Sequence, residues 1–308
     1  MTNDLRCVKI FSANENESHL QKERLNMKKI LMTFICLFFL SGCSENTKNE
    51  EDFIVYTSFY GMSNFAEMIA GEKADVRVLI PEGVEAHDWE PGTGDMIALN
   101  DADIFIYNGM DMEPWVESIL NGVDKNKLVI VKASDGIKKI EGDPHVWLNP
   151  QNALIEIENI ADALIKADSK NKDYYLKNLD AVRKKINELD NNFKEETDKL
   201  SDKEIIVTHG AFGYLCDAYG LKQYEIEGIN GDSDPSTATM REIIDYMNNN
   251  DKKALFYISS EGDKLAKTIN SETGAKIYSL HTFESGCDNK GYFEIMNENL
   301  QSIKEALE

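Results

Sequence analysis

A chain of 308 residues with 42% hydrophobic and 29% charged side chains has ordinary globular composition, enough for one large domain or two modest ones. Its formal net charge of -22 argues against nucleic acid and anionic membrane surfaces as partners, because the summed field repels phosphate. A cation is the guest such a field favours.

The first readable element is a targeting segment. Met27-Lys28-Lys29 precedes the apolar run Ile30 to Leu40 and then Leu40-Ser41-Gly42-Cys43, which together read as a basic region, a short apolar core and a small-residue cleavage site. The run is too short to span a bilayer. The tetrapeptide resembles the bacterial lipobox, in which the cysteine is acylated and becomes the first residue of the mature protein. Cys43 is therefore the expected lipidation site, and the protein is expected outside the cytoplasm, anchored to the membrane through it. Residues 1–42 are set apart as an upstream segment and lipoprotein signal. Residues 43–52 follow as a polar, acidic tether with too little apolar surface to pack. Beside Cys43, the mature chain keeps Cys216 and Cys287, which an exported protein could pair or leave as thiols.

From Phe53 onward β-rich runs alternate with helical patterns. FIVYTS, DVRVLI, ADIFIYNG and KLVIVKAS are strand candidates before residue 135, and EIIVTHG, LKQYEIEG, ALFYIS and AKIYSL follow residue 203. Strands alternating with helices predict an α/β protein with two (βα) lobes, each on a four-stranded, mainly parallel sheet. Glu90 to Met96 and Asp234 to Met240 share the order acid, Pro, small, Thr, small, any, Met, and each reads as a helix start. Asn149-Pro150 caps another helix. Between the lobes Tyr175, Leu179, Val182, Ile186, Leu189, Phe193 and Leu200 recur at helical spacing with no Gly or Pro from Asn171 to Leu200. One long, rigid amphipathic helix is expected there, joining an N-terminal lobe (53–168) to a C-terminal lobe (201–308) across residues 169–200. Only about four heptads are available to a coiled-coil dimer, so a monomer is expected.

The chemistry lies in the histidines. His87 follows the second strand, His145 sits in GDPHVWLNP before the Asn149 cap, His209 ends EIIVTHG and His281 follows AKIYSL. Ligands of open α/β sheets bind outside the carboxyl ends of strands, so all four can converge on one cleft between lobes. Imidazoles with acids nearby suit a borderline metal such as zinc. No pair has the spacing of a zinc finger or of HExxH, so the fold must assemble the site. Trp89 and Trp147 are expected to pack around it. Asp143 and Asp88 are either partners that orient a ligating imidazole or turn residues.

The stretches TSFYGMSNFAEMIAG, EGVEAHDWEPG, ADIFIYNGMDMEPWV, DPHVWLNP, VTHGAFGYL and GYFEIMNENLQSIKEAL resemble, in order, successive blocks of the zinc/manganese solute-binding lipoproteins that serve ABC importers. The resemblance implies metal held between two lobes, transported Zn(II) or Mn(II) as the ligand, and a cognate ABC permease as partner. It matches His87, His145 and His209 to the first three metal ligands. The fourth falls in the loop SLHTFESG, where Glu284 has the family position and His281 is the alternative. Manganese-type members tend to carry an acid where His209 stands, so zinc is favoured. SDGIKKIEG, residues 134–142, lacks the histidine-rich loop of many zinc-type relatives. A binding protein rather than an enzyme is the expectation, with a manganese carrier, a surface adhesin and a zinc hydrolase as the other readings.

Overall fold

The eight apolar runs become eight short strands in two parallel sheets. The computed structural model describes residues 53–84, 86, 89–227, 235–286 and 290–308, all within one compact unit, Asp52–Glu308. The signal (1–42), the tether (43–52), Cys43, His87, Asp88 and Cys287 lie outside the described residues.

Among the described residues of the first lobe, strands β1 (Ile54–Thr57), β2 (Asp75–Val78), β3 (Ile104–Tyr107) and β4 (Val129–Lys132) run in the order β2-β1-β3-β4. In the second, β5 (Glu204–His209), β6 (Lys222–Glu227), β7 (Ala254–Ile258) and β8 (Lys276–Leu280) run in the order β6-β5-β7-β8. Each neighbouring pair within these sheets is parallel, as crossovers through helices require. Both orders step outward from the first strand of the lobe on two sides, and the strands' carboxyl ends deliver the loops that matter for function.

Helices α1 (Tyr60–Ala70), α2 (Thr93–Asn100), α3 (Val116–Leu120) and α4 (Pro150–Ala167) belong to the first lobe. The cap of α4 forms as the sequence predicts, with Asn149 Oδ1 accepting from the Gln151 N–H at 2.9 Å and Pro150 as first helical residue. The two echoed heptapeptides also start helices. Asp95 Oδ2 accepts from Gly92 N at 2.7 Å ahead of α2, and Ser236 Oγ accepts from Thr239 N at 3.1 Å at α7 (Thr237–Asn249).

The predicted linking helix is α5 (Lys172–Lys199), 28 residues and roughly 42 Å long at 1.5 Å per residue. Tyr175, Leu179, Val182, Ile186, Leu189 and Phe193 are all buried along one stripe. The stripe packs against α1 and α4 on one side and against α6 (Gly213–Tyr219) and α9 (Tyr292–Leu307) on the other, so both lobes share one core. A second cluster, including Ile206, Ile243, Met247 and Leu255, packs α7 and α8 (Lys264–Thr273) onto the second sheet. Ile186 is fully buried between the lobes. Ile186→Ala is expected to cost roughly 2–5 kcal/mol, read as a lowered urea midpoint at unchanged slope.

One segment of the second lobe reaches across to the first. The loop after β8 and the start of α9 fall in 201–308, yet they pack into the first lobe. Phe283 and Tyr292 lie 6.1 and 5.1 Å from the Phe65 ring, and the Tyr292 hydroxyl donates to the Trp147 carbonyl at 2.7 Å. Trp147 Nε1 in turn donates to the Thr282 carbonyl at 2.6 Å. The aromatic residues of this segment bury most apolar area by crossing over, and chain order does not limit that. Among the described residues no helix is long and apolar enough to cross a membrane. Cys216 is a buried free thiol whose pKa burial pushes up.

Candidate metal site

His145 is the centre of the described site. It stands between an isolated bridge, Ile140 to Asp143, and a 3₁₀ turn, Val146–Leu148, which leads into the α4 cap. This short, tightly hydrogen-bonded segment leaves the ring no freedom to wander. Asp143 Oδ1 accepts from the His145 backbone N–H at 2.9 Å and lies 2.8 Å from ring Nδ1. With Nδ1 paired to Asp143, Nε2 is the nitrogen that offers a lone pair once the ring is neutral. Of the two readings open for Asp143, the structure favours the orienting partner.

The opposite face of the ring meets the second lobe. Glu284 Oε1 lies 3.1 Å from His145 Nε2, and both side chains are buried. His209, at the end of β5, is also buried, with its ring centroid 5.7 Å from that of His145 at an interplanar angle of 87°. His145, His209 and Glu284 therefore come together from three sequence-distant segments. Among the described residues no group of three or more His, Cys, Asp or Glu side chains is gathered at a spacing able to hold a metal ion. His87, the remaining predicted donor, lies outside the described residues.

His281 faces other company. Its Nδ1 lies 2.5 Å from Ser259 Oγ and its Nε2 3.7 Å from Glu298 Oε2 on α9, beside a cavity of about 340 Å³ lined by Glu82, Ser259 and Ser285. Between His281 and Glu284 stands Phe283 with φ of 65°, a left-handed backbone that is unusual for a bulky residue. Its ring is held 5.4 Å from both Tyr60 and Tyr292, and that packing sustains the turn which separates the two candidates.

Burial pulls the His145 pKa down, but the hydrogen bonds to Asp143 and Glu284 outweigh it and push the value up to about 9. Trp147 packs edge-on at 5.5 Å from the His145 ring and is fully buried, as expected for a residue that limits water. Trp89 instead packs on Trp115 at 4.7 Å, in the aromatic core of the first lobe.

Several supporting residues carried no signal in the sequence. The buried Glu113 carboxylate accepts from Ser58 Oγ at 2.6 Å and from the backbone N–H groups of Asn108 and Gly109 at 2.8 and 2.9 Å. Burial raises its pKa to about 7. Asn108 then donates to the Pro144 carbonyl at 3.1 Å, next to His145. From the second lobe, Tyr214 accepts from the Ile140 N–H at 2.8 Å and donates to the Lys138 carbonyl at 3.2 Å, which ties the stretch before Asp143 to α6. Gly213 is required by close approach, because a Cβ there would come within 2.5 Å of Asp143 Oδ2. An Asp in one lobe thus needs a Gly in the other, a pairing that leaves no trace in the local sequence.

A neutral imidazole nitrogen and carboxylate oxygens are the donor set that zinc accepts. The model of the periplasmic component A of zinc-uptake complexes, ZnuA, matches residues 55–306. The chain belongs to that family. It is 36% identical over 302 residues to the high-affinity zinc uptake system protein ZnuA of Bacillus subtilis, covering 88% of this chain and 95% of that protein. Its fold superposes with a TM-score of 0.77 on the Zn(II)-bound ZnuA-like domain of Streptococcus pneumoniae AdcA, at 32% identity over 83% of this chain and 99% of that one. The same TM-score and identity relate it to the laminin-binding protein Lmb of Streptococcus agalactiae, a bifunctional protein with adhesin and metal transporting activity, over 83% of this chain and 100% of that one. Membership accounts for the two sheets and the long helix, and it is a family of solute-binding proteins rather than of enzymes.

Proposed function

We propose that the protein captures one Zn(II) ion between its lobes, outside the cytoplasm, and passes it to a cognate ABC permease. The observation that carries this reading is the buried His145–Glu284 pair. An imidazole whose Nδ1 is committed to Asp143 meets a carboxylate from the other lobe, so the two lobes each contribute a donor. His87, His145, His209 and Glu284 are the ligands in this reading, with His281 as the alternative fourth. A nitrogen-rich set favours zinc over manganese, in line with the relatives named for zinc. Four protein donors would leave no position for an activated water, which separates a carrier from a hydrolase.

Metal analysis of the purified protein is expected to return about one zinc per chain, with zinc outcompeting manganese. Two tight sites, or preferred manganese, would contradict the reading. Anchoring rests on the lipobox-like sequence at Cys43. Cys43→Ala is expected to release the protein from the membrane fraction, and unchanged retention on fractionation would remove the acylation claim. As an ion carrier on such a tether the protein acts as a monomer. The likeness to Lmb supports an adhesin role as a second activity, to be checked by binding to immobilised laminin.

A further inference from the structure

We propose that Glu261 is a positioning residue for His209, holding its imidazole with the proton on Nδ1 so that Nε2 is the nitrogen presented to the metal. This rests on the reading of His209 as a ligand given above. Glu261 Oε1 lies 3.2 Å from His209 Nδ1, an ion-pair distance that a small rotation of either side chain would turn into a hydrogen bond, within the second lobe and remote in sequence from every predicted ligand. The sheet order explains how the two meet. β5 and β7 are neighbours, so the loop that carries Glu261 past the end of β7 runs beside the end of β5, where His209 stands.

The loop is fixed rather than slack. Both Glu261 N and Gly262 N donate to the Ile258 carbonyl, at 3.1 and 3.2 Å, and Gly262 has φ of 87°, a conformation that glycine adopts at no steric cost. This tight turn aims the Glu261 side chain back over the strand end. The carboxylate is 31% exposed and also lines a cavity of about 350 Å³ with Thr208, Met240 and Lys264. It therefore touches both the buried ring and a space that water can enter.

The first lobe shows a related arrangement with the hydrogen bond formed. There Asp143 Oδ1 meets Nδ1 of His145, and Nε2 points to the interlobe space. A ligating imidazole with its other nitrogen on a carboxylate has its tautomer and ring plane set before metal arrives, and the carboxylate makes the ring a stronger donor. Two histidines from opposite lobes, each backed by a carboxylate through Nδ1, would present matching Nε2 donors to one ion.

The test uses the purified full chain and zinc alone. Glu261→Ala is expected to weaken zinc binding about 10- to 100-fold, with Glu261→Gln retaining part of the affinity because its carbonyl can still accept a hydrogen bond from Nδ1–H. In a His209→Ala background the Glu261 substitution is expected to have an effect within about twofold, since the residue acts only through that ring. Nitrogen-15 NMR of metal-free protein should report His209 as the Nδ1–H tautomer, shifting to a mixture in Glu261→Ala. If His209→Ala weakens zinc binding but Glu261→Ala changes neither affinity nor tautomer, this proposal alone is overturned. An equal loss from Glu261→Ala with and without His209 overturns it as well, because that pattern is general destabilisation. If His209→Ala leaves zinc binding intact, the ligand reading fails and takes the proposal with it.

Discussion

Replacing Glu284 with glutamine is expected to lower zinc affinity by more than about 100-fold, beyond the usual cost of removing a residue that only supports a ligand, whereas His281→Ala is expected to cost less than about tenfold. The difference follows from the loop after β8. Glu284 is buried with Oε1 3.1 Å from His145 Nε2, across the space between lobes. His281 has its Nδ1 on Ser259 and its backbone clamped by Asn299, whose Oδ1 accepts from His281 N at 2.8 Å and whose Nδ2 donates to the His281 carbonyl at 2.9 Å. Moving His281 into the site would break these contacts and unwind the Phe283 turn. Glutamine keeps the size of Glu284 but loses the charge that both attracts the cation and neutralises it. Competition titration against a chromophoric chelator reads the two affinities directly. A larger loss for His281→Ala would reverse the assignment, and no loss for either would reopen the fourth position to water.

The sequence made the fold legible where periodicity is strong and local. Eight β-rich runs became eight strands, and the stripe from Tyr175 to Phe193 became α5, because such patterns have only one arrangement that buries their apolar face. His209 was legible as a candidate because it ends β5, whereas His145 lies well past β4 and was named from the stretch GDPHVWLNP and the family resemblance. What remained hidden depends on contacts between segments far apart in the chain. Glu284 and His281 are three residues apart, and only the left-handed φ of Phe283, held by Tyr60 and Tyr292, sends them to different partners. Asp143 could have been a turn residue until its oxygen was found on His145 Nδ1. Glu261 carried no motif at all, since its role arises from β7 lying next to β5. The contacts of Tyr292 with Phe65 and Trp147 were hidden for the same reason, since burial energy acts through space and not along the chain.

Zinc binding is expected to strengthen steadily up to about pH 9, a higher window than an ordinary histidine near 6.5 would give. Burial disfavours the charged imidazole of His145, yet Asp143 and Glu284 hold the proton more firmly than burial repels it, so the metal-free ring is still protonated at neutral pH. Zinc requires the neutral ring and must expel that proton, so apparent affinity should fall about tenfold for each pH unit below 9 from this group alone. Calorimetry in buffers of different ionisation heat should then detect close to one proton released per zinc at pH 7. Stability of the metal-free protein runs in the opposite direction. A pKa raised on folding contributes stability that is fully present below the unfolded value, roughly 6.5, and is lost as pH rises through about 9. The melting temperature should therefore decline across that interval without zinc and stay nearly level with saturating zinc, because the gain in affinity offsets the loss in metal-free stability. Asp143→Asn removes the leading contact that raises the pKa, so it should move both transitions to lower pH. Affinity that is flat from pH 7 to 9, with no proton released, would mean that His145 is already neutral and that Glu284 meets its Nε2 for some other reason.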